Sequence, residues 1–140
     1  MILVSSCLLG LCCRYDGKEK VYDKVLEYLK DKTYIPICPE QMGGLATPRG
    51  AAEIVSQDPL KIMTEDGLDV TEAFQRGVRE VLKLANSLPV ERAILKSLSP
   101  SCGSYKIYDG TFTRNLVEGS GIVSKALKEL KIDVINEEDL

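Results

Sequence analysis

Short apolar runs alternate with amphipathic stretches along this chain, and this order limits its fold more than any other feature. Four runs have the character of buried strands: Ile2–Cys7, Tyr34–Cys38, Arg92–Leu98 and Ile132–Ile135. Strands without an apolar–polar alternation are typical of parallel sheets covered on both faces. The pattern therefore predicts an α/β fold, a three-layer doubly wound domain with a four-stranded parallel sheet of order 2-1-3-4 and right-handed crossovers.

The segments between these strands predict three helices and one long loop. The first helix is Val21–Lys32, the second opens at Asp69 with Glu72 at capping-box spacing, and the third is Ile122–Lys131. The predicted inward faces of the first two helices are Val21, Val25, Leu26 and Leu29, and then Phe74, Val78, Val81, Leu82, Ala85 and Leu88. Glu40–Gly67 is rich in Gly, Pro and Thr, which predicts a long functional loop.

The length of 140 residues predicts a single domain, residues 1–140, since a domain typically takes about 100–200 residues. A net charge of −3 gives no strong signal for binding to nucleic acid or to a membrane surface. The apolar start, Met1–Val4, is too short for a signal peptide, and no run approaches the ~20 apolar residues of a membrane span. We therefore expect a cytoplasmic protein, in which thiols stay reduced.

Five cysteines and the absence of histidine restrict the chemistry of this chain. Cys7 and Cys38 close the first two predicted strands, and Cys102 lies just beyond the third. Because ligands of open parallel sheets bind at the carboxyl ends of the strands, these three cysteines should meet at one crevice. Cys13, in the first loop, can approach the same place. A cysteine taken alone is more often a buried core residue, and that role is assigned to Cys12.

Thiolates without histidine narrow the choice of metal. Structural zinc is usually held by paired C-x-x-C knuckles, which this sequence lacks. Soft thiolate ligands suit an iron–sulfur cluster, which is normally held by four cysteines. If only three cysteines bind, one iron stays open and can act as a Lewis acid toward a substrate. The spacing alone does not decide between three ligands and four.

Polar residues near these cysteines are candidates for acid–base chemistry. Glu40 follows a candidate ligand by two residues, and without histidine it is the best-placed acid or base. The competing interpretation is a solvated loop carboxylate. Ser99 and Ser101 precede Cys102, either as turn formers and helix caps or as hydrogen-bond donors to a substrate.

Two arginines and two glycine-rich segments are candidates for substrate binding. Arg14 and Arg49 can bind a carbonyl or a phosphate, or can serve only the turns in which they lie. Gly43 and Gly44, and residues 119–121, can cradle an anion at the start of a helix. None of these segments matches G-x-G-x-x-G or the P-loop, so the signal for a nucleotide cofactor is weak.

Three separated blocks carry a more specific pattern. They are SSCLLG at 5–10 with CRYDG at 13–17, CPEQMGGL at 38–45 with Pro48 and Arg49, and SPSCG at 99–103 with IYDG at 107–110. In this order the blocks resemble the thiouracil desulfidase family in its single-domain form. The resemblance runs from the first strand to the last helix and covers essentially the whole chain.

The resemblance implies a [4Fe-4S] cluster held by three cysteines, with the fourth iron open to the sulfur of the substrate. Its implied ligands are Cys7, Cys38 and Cys102. It also implies that Glu40 transfers protons, that a serine of the turn at 99–101 assists, and that Cys13 has a supporting role.

The activity implied by the resemblance is a non-redox desulfuration. The substrate would be a small thiolated pyrimidine, 2-thiouracil or a similar thiobase, which water would convert to the oxo base and sulfide, with or without a sulfur acceptor. Two other classes stay open. One is a non-catalytic thiol redox or metal-binding α/β module, and the other is a nucleotide- or anion-binding domain whose cysteines are structural.

Overall fold

The computed structural model describes residues 1–18 and 20–140. Within these residues the strands are β1 (Ile2–Ser5), β2 (Tyr34–Ile37), β3 (Ala52–Gln57), β4 (Leu60–Thr64), β5 (Arg92–Leu95), β6 (Lys106–Tyr108), β7 (Leu116–Glu118) and β8 (Asp133–Asn136). The helices are α1 (Asp23–Leu29), α2 (Pro39–Met42), α3 (Thr71–Ser87) and α4 (Ile122–Glu129), with short 3-10 helices at Ser6–Leu8 and Glu137–Asp139. None of the helices in this part of the chain has the length and apolarity to cross a bilayer.

The centre of the protein is a four-stranded parallel sheet of order β2-β1-β5-β8. β1 lies between β2 and β5, and its Leu3 pairs with Ile35 of β2 on one side and Ala93 of β5 on the other. An α/β fold with a four-stranded parallel sheet is thus confirmed. The apolar pattern did not predict the antiparallel hairpins β3–β4 and β6–β7, which are inserted between the sheet strands.

The two faces of the sheet bury different side chains because successive residues of a strand point to opposite sides. On one face the sheet packs against α1, and on the other it packs against α3 and α4. The first face buries Ile2, Val4 and Ile94 with Val25 and Leu29 of α1, and the second buries Leu3, Ala93 and Leu95 with Val81, Val123 and Leu127. Helices on both faces explain why the sheet strands are continuous apolar runs.

The first three predicted strands extend too far at their carboxyl ends, whereas the fourth, Ile132–Ile135, ends one residue before β8 does. β1 ends at Ser5, and the next residues form the 3-10 helix that contains Cys7. β2 ends at Ile37, and β5 ends at Leu95, with Leu98 in a left-handed turn at φ 66°. Cys7, Cys38 and Leu98 lie beyond the ends of these strands, so the apolar character of these residues did not mark the boundary.

The predicted helix boundaries also need correction. α1 begins at Asp23, after Val21, and two residues predicted to face inward, Val21 and Leu26, are exposed at 53% and 39%. α3 begins at Thr71, so the predicted capping box is wrong. Asp69 instead accepts a hydrogen bond from the Thr71 N–H at 2.9 Å, and Glu72 pairs with arginines of its own helix.

The last helix and strand, and the predicted long loop, differ from expectation as well. α4 ends at Glu129, because Lys131 adopts a left-handed φ of 64°, and β8 begins only at Asp133. Glu40–Gly67 is not one loop, since it contains most of α2 and the whole β3–β4 hairpin. The hairpin is missed because Gly and Pro before it and between its strands are typical of loops.

Glu137 anchors the carboxyl-terminal segment at the carboxyl edge of the sheet, where it binds the residues that follow β5. Its Oε1 accepts hydrogen bonds from the Lys96 ammonium at 2.8 Å and the Ser97 hydroxyl at 2.6 Å, and its Oε2 accepts one from the Ser97 N–H at 2.8 Å. Burial would raise the pKa of Glu137, but these hydrogen bonds outweigh burial and lower the pKa below its ordinary value of 4.5.

Replacing Glu137 by glutamine is expected to lower the free energy of unfolding at pH 7 by about 2 kcal/mol, the scale of hydrogen bonds to a charged group. A carboxyl with a lowered folded pKa stabilises above its unfolded pKa, and that contribution disappears as the pH falls through the folded pKa. The difference between wild type and E137Q should therefore shrink below about pH 4.5. Urea unfolding at pH 7 and pH 3.5 measures the difference in unfolding free energy between the two proteins. The same difference at both pH values would contradict a stabilising role of the Glu137 carboxylate.

Candidate active site

A cavity of about 450 Å³ opens at the edge of the sheet where β1, β2 and β5 end. Its lining includes Ser5 and Ile37, the last residues of β1 and β2, and Lys96, the first residue after β5. The cysteines that line it are Cys7, Cys13, Cys38 and Cys102. The structure thus brings the candidate ligands together where parallel sheets bind ligands. Cys12, assigned to the core from sequence, is exposed instead.

The Cys13 thiol contacts two other thiols of the cavity, those of Cys7 and Cys38. Cys13 shares hydrogen bonds with the other two thiols, and the Sγ of Cys38 lies 3.8 Å from the Cys13 carbonyl oxygen. The contact with Cys38 lowers the pKa of Cys13, but the contact with Cys7 and burial together raise it to about 11. The contact with Cys13, followed by burial, raises the pKa of Cys38 well above its ordinary range.

Cys102 is the most deeply placed of these thiols, only 4% exposed. Burial raises its pKa to about 11, although the hydroxyls of Ser5 and Ser101, each 3.5 Å from its Sγ, partly counter the effect. Thiols with raised pKa values stay protonated at neutral pH. They become ligands when a soft metal displaces their protons.

The donor set fits a cluster better than a single metal ion. Within residues 1–18 and 20–140, no three cysteine, aspartate or glutamate side chains lie close enough together to hold one ion. An iron–sulfur cluster offers separate irons to its cysteines, so its ligands are spread more widely. Cysteines from three different loops, in a chain without histidine, have the softness that such a group requires.

Glu40 lies in the first turn of α2, beside the candidate ligands. Its Oε1 accepts a hydrogen bond from the Nε of Arg49 at 3.0 Å, and its Oε2 accepts one from the Ser101 hydroxyl at 3.1 Å. The side chains of Glu40 and Arg49 are only 18% and 10% exposed. Pro39 favours this geometry because its fixed φ suits the first position of a helix.

The two predicted substrate-binding arginines both line the cavity, yet they have different surroundings. Arg49 also donates from Nη1 to the Thr47 hydroxyl at 3.0 Å and from Nη2 to the Cys13 carbonyl at 2.9 Å. Most of its guanidinium is therefore engaged within the protein, where it orients Glu40. Arg14 is half-buried and has a single long ion pair, 3.6 Å, with Asp16.

The turn at 99–101 is built by its own serines. The Oγ of Ser99 accepts hydrogen bonds from the N–H groups of Ser101 and Cys102, both at 3.1 Å. The hydroxyls of Ser99 and Ser101 are 2.8 Å apart. Ser99 therefore forms the turn, as one interpretation of the sequence held. Ser101 connects the turn to Glu40.

The start of α4 supports this turn from behind. The Ile122 and Val123 N–H groups donate to the Pro100 and Ser101 carbonyls at 3.0 and 2.9 Å. A side chain at Gly121 would collide with the backbone of Ser101. The segment at 119–121 was considered from sequence as an anion cradle. In the structure its Gly121 packs against the backbone of Ser101 and Cys102.

Gly43 and Gly44 are not among the described residues that line the cavity. Gly43 packs α2 against α3, where an added Cβ would overlap the Ala73 carbonyl. Its own carbonyl accepts a hydrogen bond from Arg76 at 2.9 Å. Gly44 has a left-handed φ of 96°. The structure thus shows a packing role for Gly43 and a turn conformation for Gly44.

Sequence reasoning missed several residues of the cavity wall. Lys96 directly follows β5, so its position at the sheet edge was a signal that could have found it. Five more lie on or beside the two unpredicted hairpins: Glu53, Glu65, Tyr108, Phe112 and Arg114. Only recognition of those hairpins would have placed these residues at the site.

The chain matches known proteins in three comparisons. The solved structure of the [4Fe-4S]-dependent thiouracil desulfidase TudS matches with a TM-score of 0.90 and 40% identity, covering 99% of this chain and 91% of that chain. The protein YbbK of Bacillus subtilis (strain 168) is 42% identical over 147 residues, which span 100% of this chain and 97% of the relative. A family model described as 2-thiouracil desulfurase matches residues 2–139.

These matches confirm the resemblance carried by the three sequence blocks. They cover nearly the whole chain, so they include every element that contributes to the cavity. With the family model extending over residues 2–139, the chain belongs to the 2-thiouracil desulfurase family of enzymes.

Proposed function

We propose that the protein converts a thiolated pyrimidine, such as 2-thiouracil, to the oxo base and sulfide, using a [4Fe-4S] cluster held by Cys7, Cys38 and Cys102. The observation that carries the proposal is the Ser101 hydroxyl, which lies 3.1 Å from Glu40 and 3.5 Å from the Sγ of Cys102. Proton-transfer groups and metal-ligating thiols thus meet in one cavity. The name of the matched enzyme, a [4Fe-4S]-dependent thiouracil desulfidase, supports the same chemistry.

When bound, such a cluster supplies a Lewis-acidic iron with affinity for the soft thiocarbonyl sulfur. Cys13 would support the ligands through its contacts with the thiols of Cys7 and Cys38. No histidine is needed in this arrangement, since the cysteines provide the ligands and Glu40 provides the proton transfer.

Glu40 performs the proton transfer in the proposed mechanism. Its carboxylate accepts a proton from the water that attacks the thiocarbonyl carbon, and Arg49 holds the carboxylate in place at 3.0 Å. Ser101 can pass protons between Glu40 and the reacting groups because its hydroxyl both donates and accepts. The carbon–sulfur bond breaks as the carbon–oxygen bond forms. Sulfur leaves as hydrogen sulfide, so one water is consumed and no electrons are exchanged.

Anaerobic reconstitution followed by a sulfide assay tests this function. Protein with a full complement of iron and sulfide is expected to release one sulfide per uracil formed from 2-thiouracil, without added reductant. Cluster-free protein is the control and should release none. Absence of turnover in protein shown to hold an intact cluster would contradict the proposal, as would a requirement for stoichiometric reductant.

One observation favours a second candidate, the thiol redox or metal-binding module. The contacts of the Cys13 thiol with the thiols of Cys7 and Cys38 would also suit reversible oxidation of a thiol pair. That module predicts no iron–sulfur absorbance in anaerobic preparations and a reversible disulfide. The absorbance spectrum, with iron and sulfide quantified, therefore separates the two.

We also infer a three-layer doubly wound domain spanning residues 1–140, whose parallel strands, counted alone, have the order 2-1-3-4. What supports this is the packing of α1 on one sheet face and of α3 and α4 on the other.

A cytoplasmic location remains a prediction, supported by the thiol chemistry of the site. Water is the proposed sulfur-displacing partner, and neither a separate sulfur acceptor nor nucleic-acid binding is part of the proposal.

A further inference from the structure

Residues 109–115, here called the β6–β7 loop, contribute Phe112 and Arg114 to the cavity wall. This loop carries none of the residues assigned above to ligation or proton transfer. Its sequence, DGTFTRN, is polar except for one aromatic side chain. An aromatic residue at the wall of a substrate cavity, on a loop otherwise suited to solvent, calls for a physical reason.

Hydrogen bonds inside the loop hold its conformation. The Asp109 N–H donates to the Asn115 carbonyl at 2.9 Å and closes the loop. The Thr111 N–H and hydroxyl both donate to the Asp109 carboxylate, at 3.0 and 2.6 Å. The hydroxyls of Thr111 and Thr113 are 2.6 Å apart. The loop is therefore preorganised, and little conformational entropy is lost when a ligand contacts it.

Glu53 of β3 fastens this loop to the neighbouring hairpin. Its side-chain Oε1 accepts hydrogen bonds from the Gly110 N–H at 3.0 Å and the Phe112 N–H at 3.2 Å. Glu53 is only 9% exposed. Gly110 approaches β3 so closely that an added Cβ would lie 2.5 Å from the Ile54 carbonyl oxygen. The backbone on both sides of Thr111 is thus held by one buried carboxylate.

Phe112 itself is placed against the usual preferences of its residue type. Its φ is 58°, in the left-handed region that is a genuine outlier for a bulky side chain. The chain has only two phenylalanines. Phe74 is buried in a core, whereas Phe112 is half-exposed and belongs to none of the three apolar cores formed by the described residues. Strained residues held by surrounding structure cluster at ligand clamps and active sites.

The geometry points to Phe112 as the flat surface on which the planar ring of the substrate stacks, with Glu53 as the residue that positions it. The identity of that ring as a thiolated pyrimidine rests on the proposed function. Aromatic side chains stack on nucleobases because every base has a π-face, and such contacts contribute substantially to affinity. Tyr108 lines the same cavity and extends its aromatic wall.

Phe112→Ala in the cluster-loaded enzyme tests the stacking role. We expect the KM for 2-thiouracil to rise about tenfold and the affinity for uracil, measured by anaerobic calorimetry, to fall by the same factor, with kcat changed less than about twofold. Phe112→Tyr should restore both, because it retains the ring. Phe112→Leu should not, because it retains only apolar bulk. Val117→Ala, on the exposed face of β7, is the matched control.

Glu53 is tested by its coupling to Phe112. Glu53→Ala should reproduce the loss of uracil affinity, and the double variant E53A/F112A should lose no more than either single variant, because both act through one ring. Glu53→Gln, which keeps an acceptor oxygen, should recover part of the loss. Additive losses, or a fall in kcat without weaker uracil binding, would overturn the positioning role.

Equal uracil affinity in wild type and Phe112→Ala would overturn the stacking role, as would equal affinities in Phe112→Leu and wild type. Measurements of uracil affinity do not require turnover of 2-thiouracil. An inactive wild type with intact cluster would contradict the proposed function, while its uracil affinity would still decide the stacking role. If wild type desulfurates 2-thiouracil and Phe112→Ala binds uracil as tightly as wild type, the stacking role is contradicted and the proposed function stands.

Discussion

Cys38→Ser is expected to abolish cluster assembly and, with it, the desulfuration activity. Serine preserves the size of the side chain but removes the soft thiolate on which iron–sulfur binding depends. Cys38 is only half-buried and follows the last residue of β2, so the fold should survive the change. Iron and sulfide analysis after anaerobic reconstitution, with circular dichroism to verify folding, measures the loss. Cys7→Ser and Cys102→Ser should behave alike.

Two other cysteines provide the controls for this prediction. Cys12→Ser should retain the full cluster, because Cys12 is exposed and is not among the described residues lining the cavity. Cys13→Ser separates three ligands from four, since Cys13 contacts the other thiols within the cavity. Wild-type iron content in C13S supports a three-cysteine cluster. Loss of iron in C13S equal to that in C38S would make Cys13 a ligand, and a full cluster in C38S would refute the assignment of Cys38.

Glu40→Gln is expected to lower kcat by about a hundred- to ten-thousandfold, the usual contribution of a positioned acid or base. Glutamine keeps the shape of the side chain and an acceptor oxygen for Arg49, but it cannot accept the proton of the attacking water. Cluster content should be unchanged, because Glu40 is not a proposed ligand. Steady-state sulfide release, normalised to iron, measures the effect.

A matched carboxylate outside the site provides the comparison for Glu40. Glu72→Gln removes an exposed carboxylate of α3, 67% exposed, whose partners are Arg76 and Arg79. Its kcat should equal that of wild type. A kcat for E40Q that matched E72Q would show that Glu40 is not the proton acceptor. A loss of iron in E40Q would instead assign Glu40 to the binding of the cluster.

Much of the candidate site could be predicted from the cysteines, because that prediction required only that each cysteine follow a predicted strand. Cys7, Cys38 and Cys102 each follow an apolar run that forms a parallel strand. Once parallel order is inferred, these residues must lie at one edge of the sheet. Glu40 was found for the same reason, since it follows β2 by three residues.

Other parts of the site could not be found this way. Phe112 and Glu53 reach the cavity only because two hairpins lie beside the sheet edge, and the Gly and Pro around their strands are typical of loops. Gly43 and Gly44 were predicted to cradle an anion, but Gly43 packs closely against α3 and Gly44 adopts a left-handed turn conformation outside the described cavity lining. Arg49 looked like a substrate ligand, yet most of its donors are engaged by Glu40, Thr47 and Cys13.

The sequence by itself determined the α/β class, the parallel sheet and the meeting of the cysteines at one sheet edge. These follow from apolar runs and their order, which depend on local burial and on short-range connectivity. Only the tertiary structure decided which polar groups pair across that edge. Ser101 and Glu40 lie 61 residues apart in the chain yet 3.1 Å apart in space. No local pattern encodes such a distance, because it is set by how α2, the turn at 99–101 and α4 pack together.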